Sequence, residues 1–181
     1  MKYFKISFNG LDTYHENVPM IKEGDQLVEF VDNSNYILHD TEPFYIDMAK
    51  EESTALWKDI LVEENTEIII VLEENKMIGG CITVTHSPEV RMLKGDMTNA
   101  VLWDIRVDPK YQHLGIGTQL LNLSLNYARG KNCDCLLIET QNNNPKAISF
   151  YLKNGASLLE TNKDAYPELP NETQYILKIE T

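Results

Sequence analysis

The sequence predicts a mixed α/β domain: a largely antiparallel sheet of about six to seven strands flanked by helices. Three observations carry this reading. Apolar runs at residues 67–72 and 77–86 are separated by Glu73-Glu74-Asn75-Lys76, the spacing of a β-hairpin. A helical pattern over residues 115–129 lies between strand-like runs at 100–107 and 133–140, which makes one β-α-β crossover. A short, well-capped helix then leads into two further strands, at 156–161 and 172–179.

From the N-terminus, residues 2–8 alternate weakly and read as a strand. Residues 11–44 carry Pro19, Gly24, Pro43 and several Asn and Asp, and read as helix or loop with a short strand near 36–39. From about 47 to 62 the pattern turns helical, with Met48, Ala55, Leu56, Ile60 and Leu61 compatible with one face. Gly79-Gly80 in the second hairpin strand predicts a bulge or a close backbone approach. Residues 87–99 form a polar loop, and Asp108-Pro109 stops the strand after it. The helix at 115–129 is apolar around much of its girth, which predicts deep burial, and Gly130 suits its C′ position. Asn144 is a good N-cap with Pro145 following at N1, and Gly155 ends that helix. One domain covers the chain: a variable part at 1–65, a core at 66–161 and a strand region at 162–181.

Composition narrows the function. Hydrophobic residues make up 43% of the 181, enough for a sizeable core. No apolar run approaches the ~20 residues that span a bilayer, and the N-terminus lacks a signal peptide's apolar stretch, so a cytoplasmic location is expected without membrane partners. A net charge of −12 disfavours nucleic acid and suits a cationic ligand equally with simple solubility. Cys81, Cys133 and Cys135 do not make a disulfide framework. Cys133 and Cys135 would share one face of a strand, as core residues rather than a metal pair. No metal is expected, because no His-Glu-x-x-His or similar pattern is present.

Two motifs carry chemistry. Gln112-His113-Leu114-Gly115-Ile116-Gly117 reads Q-x-x-G-x-G at the start of a helix. A helix N-terminus offers unpaired N–H groups and partial positive charge, and Gly115 and Gly117 let backbone approach an anion closely. The spacing does not fit a dinucleotide-binding G-x-G-x-x-G, and no G-K-[ST] follows for a Walker A loop. The second motif begins at Asn144 and places Ala147, Tyr151 and Gly155 in N-x-x-A-x-x-x-Y-x-x-x-G. Alone, Asn144 is explained as a cap and Tyr151 as a core aromatic.

Together, in this order, the two motifs resemble the GNAT superfamily of acetyl-CoA-dependent N-acetyltransferases. The resemblance covers approximately residues 67–155. It implies that backbone N–H groups of Gln112, His113, Leu114, Gly115, Ile116, Gly117 and Thr118 hold the pyrophosphate of acetyl-CoA. It implies that Ile105, Arg106 and Val107, on a central strand splayed from its neighbour by a bulge, pair with the pantetheine arm. It implies that Asn144 and Ala147 contact the cofactor and that Tyr151 lies near its sulfur. Residues 137–141 and 165–172 look like the streptothricin acetyltransferase group, whose members confer antibiotic resistance. The sequence departs from that group at Trp103 and in the long 87–99 loop.

The resemblance implies acetyl transfer from a thioester to a primary amine. A free alkyl ammonium has a pKa of about 10.4, so a group must take its proton. Asp104, first, or Glu139 is the candidate, each at the end of an adjacent strand. A backbone N–H near residues 105–107 would stabilise the thioester oxygen. Tyr151 would protonate the leaving thiolate. Covalent catalysis has no support, since no Cys has a neighbouring His. Lys110, Lys146 and Arg129 would form a basic rim for the cofactor. The acceptor would be a small cationic amine of streptothricin type, with Glu168, Glu172 and acidic residues of 40–52 along its pocket. A polyamine, a protein lysine or a protein N-terminus is the alternative acceptor. A non-catalytic acetyl-CoA sensor is the competing class, and edge strands near the C-terminus leave a homodimer open.

Overall fold

A computed structural model describes residues 1–51 and 53–181. It divides into two compact units, residues 1–21 with 47–136 and 181, and residues 22–46 with 137–180. These boundaries differ from sequence divisions near 65 and 161, because residues 22–46 group with residues 137–180, about ninety or more positions later. Among the described residues, no helix is long and apolar enough to cross a membrane.

The first unit holds four strands of a seven-stranded sheet, in the order β1 (Lys2–Ile6), β4 (Thr66–Glu73), β5 (Lys76–Thr85) and β6 (Asn99–Val107). All three pairings are antiparallel. Ile68, Ile69, Ile70 and Val71 are all buried, so both faces of β4 are covered and its sequence is a continuous apolar run rather than an alternation. Glu74 and Asn75 take positive φ in the two-residue turn to β5, as the favoured hairpin turn requires. The helical stretch expected over 47–62 is two short helices, α2 (Met48–Glu51) and α3 (Thr54–Ile60). Ser53 caps α3 by accepting from the Ala55 N–H.

Helix α4 (Ile116–Gly130) packs on β5 and β6. It buries Ile116, Leu120, Leu121, Ser124 and Ala128, a single face at helical spacing. Leu123, Leu125 and Tyr127 are only half-buried, so burial is narrower than the apolar girth suggested. The left-handed residue after this helix is Asn132, at φ 58°, while Gly130 remains inside it. Helix α1 (Leu11–Asn17) lies against β5. Gly80 permits that approach: a Cβ there would stand 2.5 Å from both the Ile69 carbonyl oxygen and the Tyr14 ring.

The second unit contains a two-stranded ribbon, β2 (Ile21–Phe30) with β3 (Tyr36–Asp47), and most of β7 (Cys135–Gln141). It also contains α5 (Pro145–Lys153), β8 (Ser157–Asn162) and β9 (Gln174–Glu180), the latter two antiparallel. The ribbon corrects the sequence reading of residues 11–44. Residues 21–30 form a strand rather than helix or loop, and β3 runs far past residue 39. Its residues are mostly exposed or half-buried, so no strong alternation marks it. The Tyr175 hydroxyl donates to the Val28 carbonyl at 2.9 Å, and the Tyr175 ring meets Phe30 edge-on at 4.9 Å. Cys133 is buried but precedes β7, so it shares no strand face with Cys135.

Candidate active site

In the first unit the Q-x-x-G-x-G motif forms a shaped turn. Strand β6 ends at Val107, and the Asp108 N–H donates to the Ile78 carbonyl at 2.8 Å. The Asp108 carboxylate accepts from the Lys110 N–H at 3.0 Å and from Lys76 Nζ at 2.8 Å. The Gln112 side chain donates back to the Val107 carbonyl at 3.3 Å. His113 at φ 63° and Gly115 at φ 80° are both left-handed, a backbone that builds a concavity of N–H groups. Gly115 is the N-cap of α4 and supplies no side chain to the first helical turn. Gln112, His113, Leu114, Gly115 and Thr118 are exposed, Gly117 is half-buried, and Ile116 turns into the core. The residues therefore fit an anion: donors face outward at the positive end of a 15-residue helix.

Burial raises the Asp108 pKa, but the Lys76 and Lys110 bonds outweigh it and hold the carboxyl below the ordinary range. Such a group adds stability above the unfolded value of about 3.9, lost as pH falls through the folded value. Asp108→Asn therefore lowers the urea midpoint at pH 7, and its gap from wild type closes below about pH 4. Of the expected basic rim, Arg129 is at the far end of α4, about 20 Å away at 1.5 Å per residue. Lys146 is paired with Glu23 at 2.9 Å.

Strand β6 pairs Ile105, Arg106 and Val107 regularly with Cys81, Gly80 and Gly79. Its irregularity falls earlier: Asp104 faces Ile82 and Leu102 faces Thr83, leaving Trp103 as the extra residue. The bulge of this strand is thus at Trp103, just before the 105–107 stretch. Asp104 does not fit a free proton acceptor. Its side chain is 1% exposed, and its Oδ2 accepts from Arg106 Nε at 2.8 Å and from the Tyr14 hydroxyl at 2.7 Å. Arg106 Nη1 donates to the Val18 carbonyl, and its guanidinium stacks over Tyr14 and Trp57. Burial pushes the Tyr14 pKa well up, so this hydroxyl stays a donor. The Arg106 side chain serves this buried ion pair, while its backbone, the part expected beside the pantetheine, lies in the regular stretch of β6. Burial likewise pushes the Cys81 thiol up to about 12, which removes it as a nucleophile near neutral pH.

In the second unit Tyr151 is buried on α5, its ring against Phe150 at 5.2 Å. Asn144 caps α5: its side-chain oxygen accepts from the Ala147 N–H at 3.2 Å. That bond accounts for the Asn144 oxygen as a cap. Glu139 is exposed and accepts from the Tyr166 hydroxyl at 2.5 Å; Gln141 donates to the same hydroxyl at 3.0 Å. Burial, then the bond to Glu139, raise the Tyr166 pKa, so Tyr166 stays protonated and holds the carboxylate. Gln141 also accepts from Lys22 Nζ at 3.4 Å, which is paired with Glu172 at 3.3 Å. Burial lowers the Lys22 pKa, and Glu172 offsets part of that. Glu42, Glu168 and Glu172 line one cleft of this unit. Of the other acidic residues expected there, Asp40 accepts from Gln26, Asp47 and Glu51 fall in the first unit, and Glu52 lies outside the described residues.

Sequence reasoning missed Tyr14 and Lys22, whose partners are 90 and 150 positions away. Tyr166 lies in the 165–172 segment that carries the streptothricin-type resemblance, and its setting beside Pro167 and Pro170 was the only local signal.

Comparisons place the chain among known folds. A protein of Bacillus anthracis str. Ames assigned as a streptothricin acetyltransferase, solved with acetyl coenzyme A, superposes with a TM-score of 0.76 at 24% identity. That match covers 100% of this chain and 99% of that one. Nourseothricin acetyltransferase superposes at 0.73 and 15% identity, covering 99% and 97%. N-alpha-acetyltransferase 50 of Danio rerio is 35% identical over 69 residues, 38% of this chain and 41% of that protein. The chain therefore matches less than half the length of that relative. Residues 34–156 match the acetyltransferase (GNAT) family, and the chain belongs to that family.

Proposed function

We propose that the protein transfers acetyl from acetyl-CoA to a primary amine of a small cationic acceptor, with streptothricin-type antibiotics as the first candidates and resistance as the outcome. The uncapped, outward-facing N-terminus of α4, shaped by left-handed His113 and Gly115, is the observation that carries it. That turn suits a pyrophosphate, and the full-length fold matches include one solved with acetyl coenzyme A and one named for nourseothricin.

The chain's own residues then divide the work. Backbone N–H groups at 112–118 bind the pyrophosphate, and β6 supplies backbone beside the pantetheine. Tyr151 gives a proton toward the sulfur. With Asp104 committed to Arg106, Glu139 becomes the carboxylate that holds the ammonium and accepts its proton, directly or through water. Tyr166 positions it. A hydrogen bond to a charged group is worth about 1.5–3 kcal/mol, so Glu139→Gln lowers kcat/KM for cationic amines about tenfold or more. The KM for acetyl-CoA stays unchanged in the same assay.

The similarity to N-alpha-acetyltransferase 50 favours a second acceptor, a peptide N-terminus. Thiol release from acetyl-CoA against streptothricin, aminoglycosides, spermidine, a lysine peptide and a free peptide N-terminus tests both. Release with streptothricin supports the first reading, and release with the peptide N-terminus alone replaces it with the second. Cofactor binding without release from any of these acceptors would favour the sensor class.

A further inference from the structure

Glu139 and Gln141 are two apart on β7, so their side chains share a face, and both reach the Tyr166 hydroxyl. Behind them, on β2, is Lys22, a lysine whose side chain is only 5% exposed. A buried charge is costly unless it is paired and hydrogen-bonded. Lys22 has both kinds of partner. It pairs with Glu172 at 3.3 Å, and Glu172 is held in turn by the Asn143 amide at 2.8 Å. Its ammonium also donates to Gln141 Oε1 at 3.4 Å.

Donor and acceptor chemistry gives this chain of bonds one direction. An ammonium only donates, so the atom that Gln141 turns to Lys22 is its oxygen. Gln141 Nε2 then faces Tyr166 and donates to the hydroxyl oxygen at 3.0 Å. A carboxylate only accepts, so the hydroxyl proton goes to Glu139 Oε1, at 2.5 Å. Each middle group fits in one orientation, and the donor end and the acceptor end agree on it. Gln174 bears on the same hydroxyl more weakly. Bonds coupled head to tail polarise one another. Glu139 is exposed, and among the described residues only its Oε1 carries a hydrogen bond.

We infer that Lys22 is a positioning residue for acetyl transfer: it orients Gln141, Gln141 orients Tyr166, and Tyr166 holds one oxygen of Glu139, leaving the other for the ammonium of the acceptor. The inference rests on the reading of Glu139 as the carboxylate that takes the amine's proton. It adds a buried residue that touches neither acceptor nor cofactor. If Lys22 served Glu172 alone, its removal would cost stability and leave the Tyr166 proton as it was.

Proton NMR of the Tyr166 hydroxyl, with no substrate present, tests it. A short charge-assisted O–H···O bond is strong, and its proton resonates downfield and exchanges slowly. The signal is identified as the one lost in Tyr166→Phe and moved upfield in Glu139→Gln. Lys22→Met keeps the stem and removes the donors; the signal is expected to move upfield and to exchange about fivefold faster, the net worth of one hydrogen bond. Gln141→Glu keeps the shape and the contact with Lys22 but cannot donate, so two carboxylates compete for the Tyr166 proton and the signal weakens without loss of stability. An unchanged signal in Lys22→Met overturns the inference, as does absence of the signal from wild type. Should Lys22→Met fail to fold, the Lys22→Met/Glu172→Gln double variant removes both charges and decides in the same way. Thiol release with streptothricin is scored separately. There Lys22→Met is expected to lower kcat/KM about fivefold at unchanged KM for acetyl-CoA, and less than about twofold in a Tyr166→Phe background. An equal loss in both backgrounds would make Lys22 structural only. An altered signal without thiol release from any acceptor keeps the hydrogen-bond chain and loses the transfer reading; thiol release with an unchanged signal keeps the activity and loses the positioning role.

Discussion

Tyr151→Phe lowers kcat about a hundredfold and leaves acetyl-CoA affinity unchanged. The substitution removes one hydroxyl and keeps the ring, which is buried on α5 and contacts Phe150. Packing is therefore retained, and the loss reports the proton. Proton affinities set the size. A phenol titrates near 10 and an alkyl thiol near 8.5, so complete transfer from phenol to thiolate is uphill by about 2 kcal/mol. The hydroxyl acts best as a strong donor while charge develops on sulfur, which puts it at the lower end of general-acid effects, about 10². The measurement is kcat from thiol release beside a titration of acetyl-CoA binding. Equal turnover in the variant would remove Tyr151 from the chemistry. A rise in KM for acetyl-CoA with kcat unchanged would make it a binding group only.

The left-handed turn before α4 and the cap of α5 were legible in the sequence because both are local. Gly115 announces a left-handed backbone at a helix start, and Asn144-Pro145 announces a cap and first turn, within a few residues. The hairpin of β4 and β5 was legible for the same reason. Features that stayed hidden depend on distant chain. The partner of Asp104 on helix α1 is Tyr14, and no spacing in residues 99–107 specifies it. The ribbon of β2 and β3 escaped because its strands bury few side chains, so the period-two signal that burial imposes is faint. The exact position of the bulge was not legible because register is a property of two strands: only the opposite numbering of Ile82 and Thr83 shows that Trp103 is the extra residue. Asn143 shows a third limit. Next to a cap it reads as loop, and its exposed-looking polarity conceals that it is buried against Glu172.

Asp104→Ala destabilises the protein by about 3–5 kcal/mol, the range for removing one partner of a buried ion pair. Arg106 is 2% exposed at its side chain and cannot neutralise by losing its proton, so its charge remains inside without the carboxylate. The Tyr14 hydroxyl loses its acceptor in the same step. At roughly 2–4 °C per kcal/mol for a chain of this size, the unfolding temperature falls by about 10 °C or more. Stability and turnover together separate two roles that both reduce activity. If Asp104 took the proton of the amine, alanine would abolish turnover at nearly unchanged stability. If it anchors β6 to α1, stability falls first, and turnover per folded molecule falls less. Arg106→Met in the Asp104→Ala background removes the orphaned charge, and the pair is expected to be more stable than Asp104→Ala alone. Thermal unfolding of Asp104→Ala, Arg106→Met and the double variant beside wild type reads the coupling directly. A double variant no more stable than Asp104→Ala would show that the ion pair is not what the carboxylate contributes.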